Sequence, residues 1–176
     1  MATIFFLIAA AIAFIAAVLA VTRLDVSHAL LFVVIMLLAI AVIFYIMGAP
    51  FAAALQVIVY AGAIMVLFLF VVMILGLGSR SAAGERVILR FRVWIVPLIL
   101  SALLTAELLL LLSRAEGGVG VSGSVDPKAV GLALFSTYLI GVELASFILL
   151  GGVVSAFHLG RRLQSDGIAA SEEEKR

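Results

Sequence analysis

Cysteine is absent from this chain of 176 residues, and charged residues make up only 12% of it. The absence of cysteine excludes disulfides, thiolate zinc sites, iron–sulfur ligation and cysteine nucleophiles. A net charge of +1 at pH 7 gives no electrostatic signature of nucleic-acid binding. Hydrophobic residues make up 66%, against about half in soluble domains. With a mean hydropathy of +1.41, the composition is that of a membrane protein without room for a soluble catalytic domain.

Long uncharged segments predict an all-α polytopic membrane protein with five transmembrane helices of about 20 residues or more. Proline is rare, and Pro50 divides the uncharged stretch between Val26 and Ser79 into two spans, because it lacks an N–H and restricts Ala49. The predicted helices cover residues 3–21, 29–47, 51–77, 93–112 and 128–159. They form one membrane domain over residues 1–162, which a polar tail over residues 163–176 follows.

Basic residues are distributed unequally between the two sides of this predicted bundle. The first loop, the third loop and the C-terminal end share one side, whereas Arg114 and Lys128 lie on the other. By the positive-inside rule the richer side is cytoplasmic, so the N-terminus is outside and the C-terminal tail is in the cytoplasm. The basic residues of that side are Arg23, Arg80, Arg86, Arg90, Arg92, Arg161, Arg162, Lys175 and Arg176.

Glu143 lies near the middle of the fifth predicted helix, between uncharged residues on both sides. An ionised carboxylate at that depth costs about 3 kcal/mol or more unless a partner, water or a bound proton compensates. Ser136 lies seven residues earlier and Ser146 three later, which predicts a thin polar stripe on one helix face. This stripe favours proton or ion handling. The alternative is a protonated glutamate bonded to a neighbouring helix.

The third and fourth predicted helices supply further candidates. Tyr60 follows Gln56 by four residues, which predicts a polar pair on one face, although a tyrosine at this depth is also typical of the core. Because the third helix is longer than a bilayer requires and Gly62 lies beside Tyr60, we predict a π-bulge there. Glu107 lies two turns from Arg114, where it either extends to the outer interface or belongs to a polar site.

No nucleotide-binding or catalytic motif occurs in the chain. The glycine-rich segment Gly117–Ser124 connects two spans and lacks the Lys-Ser/Thr ending of a phosphate-binding loop. His28 and His158 lie near the ends of separate spans, which makes a poor metal site. The residues alone therefore predict a membrane subunit with a buried acid and no catalytic centre, cofactor or metal of its own.

Two parts of the chain resemble one known family. Leu55–Met73 resembles the third transmembrane helix of subunit J (chain 10) of the proton-pumping NADH:quinone oxidoreductase, respiratory complex I. Subunit J is the bacterial counterpart of mitochondrial subunit 6. Gly131–Tyr138, Val142–Ser146 and Ala156–Leu159 resemble the last helix of that family. The five spans and their orientation also agree, whereas the fourth helix, the glycine-rich loop and the tail match only in position.

The resemblance implies a subunit without a redox centre in a proton-translocating enzyme of the bacterial inner membrane, with quinone, FMN and iron–sulfur clusters in partner subunits. It implies packing against the small subunit K, between the quinone-binding part and the antiporter-like subunits. Tyr60 and Gly62 would act as gating residues through a π-bulge that relaxes to α-helix and controls a water path toward subunit K's carboxylates. Glu143 would belong to the polar axis of the membrane arm. Glu107 matches no motif of the family, so the resemblance implies no role for it.

Other interpretations remain open at this point. One is the equivalent subunit of a related non-NADH dehydrogenase, hydrogenase or antiporter complex, since nothing in this chain identifies the electron donor. Another is a purely structural spacer. A stand-alone transporter is disfavoured, because the sequence has one centrally buried acid and no inverted repeat.

Overall fold

The computed structural model describes residues 2–75, 91–115 and 124–173, and the regular structure in these ranges is helical. Five helices are long and apolar enough to cross a membrane, which confirms the predicted class of fold. In chain order the elements are α1 (Ala2–Thr22), α2 (Val26–Ile46), α3 (Pro50–Leu55), π1 (Gln56–Ile64), α4 (Met65–Ile74), α5 (Phe91–Ala115), α6 (Pro127–Phe135) and α7 (Leu139–Glu173). The elements α3, π1 and α4 follow one another directly and form the third span, Pro50–Ile74.

The chain divides into two compact units, residues 1–125 and residues 126–176. The first unit contains α1 to α5, and the second contains α6 and α7. Most of the predicted basic third loop and of the glycine-rich connector falls on residues 76–90 and 116–123, which lie outside the described residues. The orientation of the chain in the membrane, which depends on that loop, stays a prediction.

The core of the first unit lies where α1, α2 and α5 meet. Ala9 and Ala16 of α1 and Ala39 of α2 are completely buried there. Small side chains at such positions let helix backbones approach closely, which is the main source of packing energy between helices in lipid. Phe32 fills the largest fully buried position, and the Arg23 guanidinium lies over its ring at 5.2 Å from the centroid. This contact ties the loop after α1 to the core.

Both ends of α2 are fixed by local hydrogen bonds. Asp25 caps the N-terminus, and its Oδ1 accepts the backbone N–H of Ser27 at 2.9 Å. After α2 the chain turns at Gly48, whose φ of 83° is a left-handed conformation that a side chain disfavours. The N–H of Gly48 donates to Tyr45 O and that of Ala49 donates to Phe44 O, which is a Schellman ending. The predicted break before Pro50 therefore has a specific hydrogen-bonded form.

The predicted fifth helix, residues 128–159, is wrong as a single element, because the structure divides it at residues 136–138. Asp126 caps α6, and Pro127 occupies its first turn. At the other end of α6 the Ser136 hydroxyl donates to Leu132 O, and the Tyr138 N–H reaches back five residues to Ala133 O. Ser136 is the C-terminal cap, with a φ of −119°, and α6 ends at Phe135. The membrane span itself is Leu139–Gly160, and α7 continues beyond it to Glu173.

Candidate gating site and intramembrane acids

The predicted π-bulge is confirmed, since π1 occupies nine residues in the middle of the third span. At its end the N–H of Met65 donates to Tyr60 O, five residues back, instead of the four of an α-helix. The segment contains Ala61-Gly62-Ala63, whose small side chains leave the widened turns uncrowded. One irregular segment thus interrupts an otherwise α-helical span.

The spacing of buried residues along the third span shows what π1 does to its packing. The span contacts α2 through α3, π1 and α4 in turn. Its buried residues are Ala53, Gln56, Ala61 and Val72. The step from Ala53 to Gln56 is three residues, as on one face of an α-helix, whereas the step from Gln56 to Ala61 is five. The π-helix therefore keeps the buried residues that precede it and those that follow it turned toward α2.

The same widened turn overturns the predicted pairing of Gln56 and Tyr60 on one face. Gln56 is 8% exposed, whereas Tyr60 is 51% exposed. Gln56 and Tyr60 thus differ in burial although they are four residues apart, whereas Gln56 and Ala61, five residues apart, are both buried. Tyr60 is therefore turned away from the surface that packs on α2.

Gly62 lies in π1 close to the backbone of an earlier turn. A Cβ atom built on Gly62 comes within 3.2 Å of the carbonyl oxygen of Val57, five residues earlier. Any side chain at this position requires the backbone at Val57 to shift by a few tenths of an ångström. Gly62 therefore bears directly on the stability of the π geometry.

Glu143 lies in the first turns of α7, on a span in which no residue is buried. The predicted polar stripe around it is wrong in one respect, because Ser136 lies in the turn before α7 and not on the same helix. Ser146 does share α7 with Glu143, but its hydroxyl donates to Val142 O at 2.9 Å. The hydroxyls of Ser136 and Ser146 therefore bond to backbone carbonyls four residues earlier. Glu143 is the exposed acid of this span.

Glu107 is placed differently from either sequence-based alternative. It is 4% exposed, and neither carboxylate oxygen has a hydrogen-bond partner among the described residues. The side chain therefore does not extend to the outer interface. Leu104 and Leu111, one turn before and one turn after, belong to or pack against the core cluster. Their spacing of three and four residues from Glu107 is a signal in the sequence that identifies the buried face.

No group of three His, Asp or Glu side chains suited to a metal ion occurs in the described ranges. His28, near the start of α2, is buried. Its Nδ1 lies 3.6 Å from Asp25 Oδ2, and its ring meets that of Trp94 edge-on at 6.3 Å. This arrangement joins the start of α2 to α5.

A chain of five membrane-spanning helices, interrupted by a π-helix in the third, defines a polytopic integral membrane protein. The family described as NADH-ubiquinone/plastoquinone oxidoreductase chain 6 matches residues 16–159. The chain belongs to this family.

Curated relatives agree over nearly the whole chain. NADH-quinone oxidoreductase subunit J of Pseudomonas aeruginosa is 49% identical over 158 residues, which cover 89% of this chain and 95% of the relative. The subunit J of Escherichia coli K12 is 45% identical over 173 residues, covering 96% and 92% of the two chains. That of Buchnera aphidicola from Schizaphis graminum is 40% identical over 150 residues, covering 85% and 92%.

Proposed function

We propose that this chain is a membrane-arm subunit of a proton-translocating NADH:quinone oxidoreductase in the bacterial inner membrane. In this role it has no redox centre, and it helps to couple quinone reduction in other subunits to proton translocation. The third span is the coupling element, and π1 acts as a conformational gate on a water path. The family membership and the names of the relatives support the enzyme assignment.

The observation that carries the gate is the five-residue step between Gln56 and Ala61. If π1 relaxes to α-helix, every residue after it turns by about 100° relative to those before it, because one residue of an α-helix advances the face by that angle. Ala61 and Val72 then leave α2, and the Tyr60 side chain and the backbone at Gly62 change the direction in which they face. A change of this size on the exposed side of the span is suited to opening or closing a water path.

Partner subunits complete the arrangement in this proposal. The span of α7 has no buried residue, although it carries Glu143 and several small residues. Neither an acid nor a row of glycines favours contact with lipid, so we assign this span to contacts with other membrane subunits. The small subunit K, the quinone-binding part and the antiporter-like subunits are the proposed neighbours. Quinone, FMN and iron–sulfur clusters belong to partner subunits.

The test of the gate compares two valine variants in inverted membrane vesicles. Gly62→Val crowds Val57 O, whereas Ala11→Val enlarges an exposed side chain of α1, outside the third span, and provides the control. NADH oxidation and proton uptake are measured on the same vesicles. We expect Gly62→Val to lower the number of protons moved per electron and Ala11→Val to leave it unchanged. Full coupling in an assembled Gly62→Val complex rejects the gate.

The enzyme assignment is tested separately by purification through a tag on the C-terminal tail. Recovery of flavin and iron–sulfur subunits with NADH:quinone activity supports the assignment. Recovery with hydrogenase or antiporter-like subunits but without an NADH module favours a related assembly. Unchanged proton pumping per electron in both Glu143→Gln and Tyr60→Phe favours a structural spacer.

A further inference from the structure

The buried face of α5 carries an acid that the gate does not use. Pro97, Leu100, Leu104 and Glu107 are its buried residues, at steps of three, four and three. This spacing places all of them on one side of the helix, the side that contacts α1 and α2. Glu107 therefore occupies a position of the helix core that is otherwise apolar.

Among the described residues, no ionisable side chain of the helices packed on α5 gives Glu107 a hydrogen bond. Within Ala2–Thr22, which is α1, there is no ionisable side chain at all. The ionisable groups of α2 are His28 and Tyr45. His28 contacts Trp94, thirteen residues before Glu107 and so about 20 Å away along α5. Tyr45 lies at the other end of α2 and lines the same cavity as Thr105 and Leu108 of α5, but it gives Glu107 no hydrogen bond.

On α5 itself the nearest charged residue in sequence is Arg114, two turns farther on, about 10 Å along the axis. The third span, which lines the cavity beside α5, contains Tyr60 as its only ionisable residue. Among the described residues, Glu107 thus has neither an ion-pair partner nor a hydrogen bond to compensate a charge. A carboxyl group in such surroundings is stable only in its neutral form.

We propose that Glu107 is a proton-binding site inside the first unit. The carboxyl group keeps its proton while α5 is packed on α1 and α2, and it releases the proton to entering water when α5 moves away from α1. In the release step the O–H bond breaks, its electron pair stays on the carboxylate, and the proton passes to a water molecule. The proposal does not depend on the gate in π1.

A cavity beside α5 gives this movement room. It has a volume of about 330 Å³ and lies between α2, α3 and α5. Leu104 belongs to the buried cluster and also lines the cavity, whereas Thr105, Leu108 and Leu112 line it from the adjoining face. A shift of α5 into this space separates the Glu107 face from α1. The cavity also touches Val57, the second residue of π1, so the same shift reaches the π-helix.

The test is infrared spectroscopy of the assembled complex in membranes at neutral pH. The spectrum of the Glu107→Gln complex is subtracted from that of the wild type. We expect the difference to contain the C=O band of a carboxylic acid, with slow exchange in D₂O because the group is buried. Carboxylate stretching bands in its place overturn the proposal. The control is Leu103→Gln, which adds the same amide to an exposed position of α5.

A second variant covers the case in which Glu107→Gln fails to assemble. A neutral acid in an apolar core is replaceable by leucine, so we expect Glu107→Leu to assemble to the level of the wild type. In addition, the wild type loses thermal stability relative to Glu107→Leu as pH rises from mildly acidic to mildly alkaline, because only the opened state releases a proton there. Failure of Glu107→Leu to assemble, or a pH-independent difference, overturns the proposal.

Discussion

The carbonyl oxygen of Val57 lies 3.2 Å from the position that a Cβ atom would take on Gly62. The two residues are five apart, which is the hydrogen-bonding step of a π-helix. The side chain at position 62 therefore affects the stability of π1 through the backbone of the same segment.

We expect Gly62→Ala to shift the third span toward a continuous α-helix. The added methyl group crowds Val57 O in the π geometry and also lowers the intrinsic cost of α-helix, since alanine is favoured over glycine by about 1 kcal/mol in a helix interior. A high-resolution structure of the variant complex shows the change as Tyr60 and later residues rotated relative to Gln56. Retention of the nine-residue π-helix in that structure contradicts the prediction.

Deleting one residue within π1 should be tolerated by the fold, whereas deleting one beyond it should not. Without Val59 the step from Gln56 to Ala61 becomes four, so an ordinary α-helix keeps both residues on α2. Without Val66 of α4, Val72 turns by about 100° away from α2. Val59 and Val66 are both exposed, so neither deletion removes core packing.

The measurement for these deletions is the amount of assembled complex in membranes, followed by proton pumping in the variants that assemble. We expect near-normal assembly but lost coupling without Val59, and reduced assembly without Val66. Equal losses of assembly in both variants would mean that π1 is not a removable insertion in the packing.

The sequence predicts the number of spans and the position of π1, because long apolar runs and surplus length are properties of the chain itself. It does not predict the facing of Tyr60, because that depends on hydrogen bonds at five-residue spacing, which composition does not reveal. The end of α6 is missed because the turn at residues 136–138 lies within an apolar run that contains no proline or glycine to mark it. The burial of Glu107 follows from the apolar residues at helical spacing on either side of it, Leu104 and Leu111. The sequence reveals this burial only when all the residues on that face of α5 are compared.

Close packing of α1 on α2 predicts a strong asymmetry between two alanines of α1. Ala16 is completely buried, so a leucine there forces the helices apart, and we expect Ala16→Leu to lower the free energy of unfolding by about 1–3 kcal/mol. Ala11 is exposed, so Ala11→Leu adds the same side chain without a clash. Thermal denaturation of the two purified variants compares them. Equal midpoints would show that this helix pair does not rely on close approach.

Asp25 is expected to stabilise the start of α2 through its cap. Its Oδ1 accepts the N–H groups of Ser27 at 2.9 Å and of His28 at 3.4 Å, and Oδ2 lies 3.6 Å from the His28 ring. Asp25→Ala removes these acceptors and should cost about 1 kcal/mol, measured as a lower thermal midpoint of the complex. Asp25→Ser restores an acceptor for the backbone but not the contact with His28, so it separates the two contributions. A midpoint for Asp25→Ser equal to that of the wild type assigns the whole effect to the cap, whereas one equal to that of Asp25→Ala assigns it to His28.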